Sequence, residues 1–311
     1  MNKPQTSYPC NFCGSENGTL VISGGDLLED LPGTFQIIKC TGCGVLRQNP
    51  RLDWEDLSGY YLPGYVCHGE QLPETSRTLK DKALGLGPRK RVTRVAKYMP
   101  EGNWLDVGCG SGLILQAAQE RGNWKLSGVE PVISMAEYTA ARLEIDVFGG
   151  TFEDFPIHEA SFDIISMWDV LEHLSAPASS IQKVSKLLKP GGIFIFSTPN
   201  LNSLDQKIFG PHWLGYDLPR HLYLFPDQLI KKYLAENDLE VIDKFCFTGS
   251  YGTWYLDFSY QHKLNPTKLN TWVTKQGPDG FLYRSVSFIP LRLVDWLGLG
   301  TNITYVARKQ P

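Results

Sequence analysis

Apolar residues along this chain come in short runs, separated by stretches where they recur every three or four positions, and that alternation predicts strands and helices in turn. NWLDVG (103–108) reads as a first strand and LILQAAQERG (113–122) as its helix. KLSGVE (125–130) pairs with a helix through Arg142, and EIDVFGG (144–150) with a loop. FDIISMWD (162–169) precedes a helix ending near KLLKPGG (186–192), and IFIFSTPN (193–200) is apolar enough for a central strand buried on both faces. PDQLIKKYLAEN (226–237) is then a helix, LEVIDKFCF (239–247) a strand, and ITYVARK (303–309) the last of seven strands. Such β-α units specify the α/β class, with a doubly wound, mostly parallel sheet.

The flanking segments follow other rules. Residues 1–50 are rich in Gly and turn residues, and hold only short strand-like runs, TLVI (19–22) and FQII (35–38), a knuckle-and-hairpin pattern. Residues 51–87 cluster Tyr60, Tyr61 and Tyr65 before a polar stretch that reads as a helix or linker. From Pro88, RKRVTRVAKY alternates basic and apolar residues at helical spacing and leads into the main domain, 88–311. The stretch at about 250–300 far exceeds the 2–5 residues of a hairpin loop, so it is expected to help build the substrate side.

The chemistry concentrates where the first strand meets the first helix. In LDVGCGSG (105–112), Gly108, Gly110 and Gly112 let backbone N–H groups approach a ligand at the carboxyl end of the strand. A tight strand-helix turn alone would also want those glycines. Asp106 beside them would repel a pyrophosphate but suits an ammonium group, and Glu130 ends the next strand, where a carboxylate accepts hydrogen bonds from both hydroxyls of a ribose. Together they point to an adenosyl amino acid. At the N-terminus, CNFC and CTGC place Cys10, Cys13, Cys40 and Cys43 as two CxxC pairs separated by 26 residues, the spacing of a four-thiolate zinc ribbon. With four thiolates and no open coordination position, such a Zn2+ is structural. The remaining Cys67, Cys109 and Cys246 have no partner spacing, and Cys67-His68 reads as loop.

The series LDVGCGSG, GVEP, GTFEDFP, SFDIISMWDVLEHL, LKPGG and FSTPN resembles the class I S-adenosylmethionine-dependent methyltransferases, with the motifs in their usual order from about residue 88 to 247. That resemblance implies a seven-stranded sheet whose last strand is antiparallel. It implies that Asp106 to Gly112, including Gly108, Cys109 and Gly110, wrap the methionine moiety and that Glu130 holds the ribose. It further places Thr151 and Phe152 beside adenine, and Met167 and Trp168 around the sulfonium. The zinc ribbon, tyrosine-rich linker, VLEHL and PRHL resemble bacterial methyltransferases of sugar, cell-surface glycan and secondary-metabolite pathways. Deoxysugar C-methyltransferases carry Glu-His near Arg220-His221 and a further α/β domain, so the Arg here argues against carbon methylation. Ubiquinone-pathway O-methyltransferases share the VLEH and core pattern but not the ribbon.

A hydroxyl acceptor needs its proton managed, and a neutral imidazole with a pKa of about 6.5 suits that task. His221 and His173 are the candidates, although Glu172 and His173 would equally serve to fix the following loop. Arg220 would pair with a substrate anion, or with Asp217. Tyr60, Tyr61 and Tyr65 would fold over the cofactor or pack between domains. The aromatic-rich 250–300 insertion would act as a lid over the acceptor, touch a membrane peripherally, or simply pack the core.

The formal charge of −3 excludes the basic footprint of nucleic-acid binding, which weakens the alternative of an RNA methyltransferase. The other alternative is a non-catalytic cofactor-binding protein that recruits a partner. No run approaches the roughly 20 apolar residues of a membrane span and the N-terminus lacks a signal pattern, so the expectation is a cytoplasmic enzyme acting on a small-molecule, sugar, or glycan- or lipid-linked acceptor.

Overall fold

The computed structural model describes residues 4–62, 79–246, 250–277 and 280–311. The chain opens with three strands, β1 (Gly18–Gly24), β2 (Phe35–Cys40) and β3 (Leu46–Gln48), then a single turn α1 (Trp54–Leu57) and the long helix α2 (Leu79–Tyr98). The β-α series follows as β4 (Gly102–Val107), α3 (Leu113–Arg121), β5 (Trp124–Glu130), α4 (Ile133–Leu143), β6 (Asp146–Gly149), β7 (Phe162–Trp168), α5 (Pro177–Leu187) and β8 (Leu188–Pro199). After it come α6 (Leu204–Phe209), the two-residue strand β9 (Tyr223–Leu224), α7 (Asp227–Ala235) and β10 (Leu239–Phe245). Three helices, α8 (Ser250–Leu264), α9 (Lys268–Gln276) and α10 (Phe281–Trp296), precede the last strand, β11 (Asn302–Lys309).

The seven strands of the main sheet lie in the order β10-β11-β8-β7-β4-β5-β6. β4, β5, β6, β7 and β8 pair in parallel, and β11 alone runs antiparallel, against both β8 and β10. Burial explains the central order: Ile193 to Phe196 of β8 have no exposed surface, because helices cover both faces of a parallel sheet. One core runs from Cys10 and Phe35 across one sheet face to Trp213 and Tyr305, and a second lies under α2 and α3 around Val95, Trp104 and Leu115.

Two element boundaries differ from the sequence reading. The helix expected from Pro88 begins at Leu79, with the proline inside it. Proline has a helical φ and lacks only the N–H, so it looks like a first-turn residue although a packed helix continues through it. β8 begins at Leu188, ahead of the Gly pair, because Leu188 already pairs with Phe162 before the register shifts to Ile193 opposite Ile164.

The N-terminal strands do not close a sheet by themselves. Their sheet has the order β1-β2-β3-β9, with Leu46 opposite Leu224 and Arg47 opposite Tyr223. Its fourth strand therefore comes from the segment just after His221. Phe12 completes the junction by packing edge-on against Tyr223, Phe225 and Tyr233. The 250–300 insertion is helical, and Trp254 and Phe258 of α8 pack on Phe209 of α6. Among the described residues no helix is long and apolar enough to cross a membrane.

Candidate functional site

The candidate site gathers at the carboxyl ends of β4, β5 and β7. After β4 the chain turns through Gly108, Gly110 and Gly112, all at positive φ. At Gly108 a Cβ would meet Val170 Cγ2 at 2.6 Å, and at Gly112 one would meet Thr139 Cγ2 at 2.6 Å, so a side chain is excluded on both counts. Thr139 donates to the Gly110 carbonyl at 2.8 Å, and Arg142 to that of Ser111, pinning the turn from α4. Glu130 braces it from β5, accepting from the N–H of Gly110 at 2.9 Å and that of Val132 at 3.0 Å.

Asp106 is fully enclosed beside this turn. Burial pushes its carboxyl up to about 7, against the opposing influence of the Ser166 hydroxyl at 2.5 Å and of Arg91. Arg91, from α2, lies 3.5 Å from Asp169 and stacks over the Trp168 ring at 5.1 Å. Arg91 Nε and Trp168 Nε1 are buried with no hydrogen-bond partner among the described residues. Sequence reasoning missed Arg91, Ser166 and Asp169; the basic, amphipathic pattern around Arg91 marked a helix but not its pairing with Asp169 and Trp168. Met167 is wholly buried on the opposite face of β7. Phe152 is buried against Lys183 of α5, whose Nζ lies 5.2 Å from its ring, and Thr151 hydrogen-bonds Asp154 at 2.6 Å in the same turn.

Beyond β7 the chain makes a short 3-10 turn at Leu171–His173. His173 and His221 meet there with ring centroids 4.7 Å apart. His173 Nδ1 lies 3.0 Å from the Arg220 carbonyl and 3.1 Å from the Tyr61 hydroxyl, and His221 Nδ1 lies 2.8 Å from the Gly215 carbonyl. Burial and the neighbouring His221 hold the His173 imidazole down to about 3, and burial lowers His221 as well. Glu172 completes the group: its ligand atoms and those of the two histidines lie within 4.8 Å of one another. Burial, and Asp169 nearby, push the Glu172 carboxyl well above the usual range.

Arg220, predicted to meet either a substrate anion or Asp217, takes the second course. It has no exposed surface, and it binds Asp217 at 2.7 Å and Asp26 in a two-pronged contact at 2.7 and 3.1 Å. Tyr60 donates to the Pro32 carbonyl at 2.6 Å, while Tyr61 reaches His173. Tyr65, Cys67 and His68 lie outside the described residues.

The four N-terminal cysteines converge. Cys10 and Cys43 Sγ are 3.6 Å apart and Cys13 and Cys40 Sγ 3.5 Å, with all four sulfurs within 4.8 Å. Each CxxC turns back on itself through a following glycine at positive φ, Gly14 and Gly44. Burial alone would raise the Cys40 thiol, but the N–H groups of Cys43 and Gly42 bring it down to about 6.

A family model described as a methyltransferase domain matches residues 77–244. A ubiquinone biosynthesis O-methyltransferase of Actinobacillus pleuropneumoniae is 33% identical over 205 residues, 62% of this chain and 80% of that protein. Another, from Dinoroseobacter shibae, is 32% identical over 203 residues, 62% of this chain and 79% of that one. A chain from the complex between the Haloferax volcanii Trm112 methyltransferase activator and a methyltransferase aligns with a TM-score of 0.52 at 15% identity, over 75% of this chain and 93% of the other, a likeness of fold.

Proposed function

This chain belongs to the methyltransferase-domain family, and from that premise we propose that it moves a methyl group from S-adenosylmethionine to a hydroxyl of a small-molecule or lipid-linked acceptor. The observation that carries the reading is that two differently built groups follow neighbouring strand ends: carboxylates with a bare backbone turn after β4 and β5, and paired imidazoles after β7, with Val170 packed against Gly108 between them. S-adenosylmethionine supplies a methyl group already activated by its sulfonium. Asp106 suits the ammonium of the amino-acid moiety and Glu130 the ribose. The buried Arg91 guanidinium and the Trp168 N–H, both with unspent donors, suit its carboxylate. His221, backed by His173, receives the acceptor hydroxyl and its proton. The 33% identity to an O-methyltransferase supports oxygen as the acceptor atom.

The four thiols fit a structural Zn2+. Their 3.5 and 3.6 Å spacings lie near the roughly 3.8 Å edge of a tetrahedron with zinc-sulfur bonds of about 2.3 Å. Residues 1–50 then act as a stapled module, 51–87 as a connector and 88–311 as the transferase unit.

A lipid-linked acceptor gains support from α10. Phe281, Ile289 and Trp296 are 81, 76 and 79% exposed on its outer side, while Tyr283 and Leu291 face inward. Arg284 and Arg292 lie on the same helix, and the described acids of the insertion, Asp257 and Asp295, are buried. Two arginines on a helix with exposed aromatics complement an anionic bilayer surface.

Calorimetry with S-adenosylhomocysteine tests the cofactor end. Asp106→Ala and Glu130→Ala should each lose binding while retaining the far-ultraviolet circular dichroism of the wild type; unchanged affinity in both overturns the reading.

A further inference from the structure

We infer that Asp205 of α6 and Asp257 of α8 share a single proton, and that this bond between an acid and a carboxylate holds the helical insertion on the turn that leads to His221. The first observation concerns the four oxygens of the pair. Asp205 Oδ2 accepts from Trp213 Nε1 at 3.1 Å and from the Thr301 hydroxyl, and Asp257 Oδ1 accepts from the Leu214 N–H. Asp205 Oδ1 and Asp257 Oδ2 are buried and have no donor among the described residues. The two carboxyls are nevertheless in hydrogen-bond contact with each other. One proton on Asp257 Oδ2, donated to Asp205 Oδ1, satisfies both orphaned oxygens at once.

The second observation is the electrostatic setting. Neither residue has any exposed surface, and among the described residues no ion pair reaches either carboxyl. Around the pair stand Tyr260 of α8, Tyr283 and Asp295 of α10, and His212 of the preceding turn, while His262 of α8 turns to Asn270 of α9. The lysines and arginines of α6, α8, α9 and α10 are exposed. Two ionised carboxylates in contact, away from water and without a cation, repel each other, so one stays un-ionised. Burial and the neighbouring Asp205 accordingly push the Asp257 carboxyl well above the usual range.

The third observation is what the pair spans. Trp213 and Leu214 are consecutive, so the two carboxyls grip adjacent residues of one turn. The next residue, Gly215, turns its carbonyl to His221 Nδ1 at 2.8 Å. Thr301, bound to the same Asp205 oxygen as Trp213, leads into β11. A second ionisation in alkaline solution would therefore loosen α8, the start of β11 and the backbone behind His221 together.

Folding raises the Asp257 carboxyl, so the folded chain keeps a proton that the unfolded chain releases above about pH 4. The stability this bond contributes is fully present at low pH, declines as pH rises towards the folded-state value, and is level beyond it. In Asp257→Asn the amide oxygen still accepts from Leu214 and the amide N–H donates to Asp205, which preserves the bond without a titrating proton. Asp205→Asn does the same from the other side. With both replaced, two amide N–H groups face each other and the bond is lost.

Equilibrium urea unfolding of the full chain, in the wild type, the two single variants and the double variant, tests this between about pH 5 and pH 8. The single variants should fold with midpoints near that of the wild type at the acid end, and the double variant should fall further than the two single shifts combined. As pH rises, the unfolding constant of the wild type should grow relative to that of Asp257→Asn, by up to about tenfold per pH unit for one linked proton. The same pH dependence in the wild type and Asp257→Asn, or an additive double variant, overturns the shared proton. Failure of both single variants to fold overturns it too, because each position would then require a carboxylate. S-adenosylhomocysteine binding, measured on the same samples, keeps the transferase reading separate: its loss from the wild type overturns that reading and leaves the proton linkage standing.

Discussion

Gln48 donates its side-chain N–H to the His221 carbonyl at 2.9 Å, from the last residue of β3 to the edge of the imidazole pair. The same amide nitrogen donates to the Pro219 carbonyl at 2.8 Å. The cysteine-bearing sheet therefore sets the backbone on which a candidate catalytic side chain stands, and β3 pairing with β9 fixes the register of that contact.

Gln48→Ala should for this reason slow methyl transfer without weakening the cofactor. Removing one buried donor costs about 1–3 kcal/mol, which corresponds to roughly tenfold or more in rate if the loss falls on positioning of His221. The comparison is single-turnover transfer against S-adenosylhomocysteine affinity by calorimetry. A matched fall in both would mean a general loss of fold.

Metal analysis of the purified chain should find one Zn2+ held by the N-terminal thiols, and Cys40→Ser should release it. Because Phe12, Asn11 and Arg47 tie these knuckles to α7, α5 and β3, their loss should also lower the urea midpoint of the whole chain. A metal-free wild type of unchanged stability contradicts the zinc assignment.

Arg220→Met should destabilise the protein by about 3–5 kcal/mol, because it leaves Asp26 and Asp217 buried without their cation. Equilibrium urea unfolding measures this. The triple change Arg220→Met, Asp26→Leu and Asp217→Leu should recover part of the loss.

Cofactor binding should depend on pH through Asp106. Its carboxyl stands at about 7 in the free protein because burial penalises its charge. An ammonium bound beside it favours the ionised form, so binding below pH 7 releases a proton and affinity rises with pH until it levels above 7. Calorimetry in buffers of differing ionisation enthalpy reads the proton count, which should vanish in Asp106→Asn.

The exposed face of α10 should hold the protein on vesicles of anionic phospholipid and not on neutral ones. Sedimentation with each vesicle type, using wild type and a Phe281→Ser, Ile289→Ser, Trp296→Ser variant, checks it. Equal sedimentation of the variant shows that this face is not the contact.

Much of the fold was legible because its causes are local. Apolar runs mark strands wherever helices cover both sheet faces, and glycines mark turns that need positive φ at Gly108 and Gly112. The CxxC knuckles were readable for the same reason, since each pair of sulfurs is brought together within a single turn. Local pattern was least informative at Pro88, where the packed helix runs through a residue that reads as a start.

What the chain order alone determined, then, is the sheet, the glycine turn after β4 and the two cysteine knuckles. Only the folded molecule decided that Arg220 meets Asp26, 194 positions away, that Gln48 holds His221 from 173 positions away, and that Glu172 is sealed beside two imidazoles. Short-range periodicity records which face of an element is apolar, but not which distant polar group will lie opposite once that face is buried. In this protein the meaning of each charged or titratable side chain depends on the desolvation and partner that tertiary packing supplies.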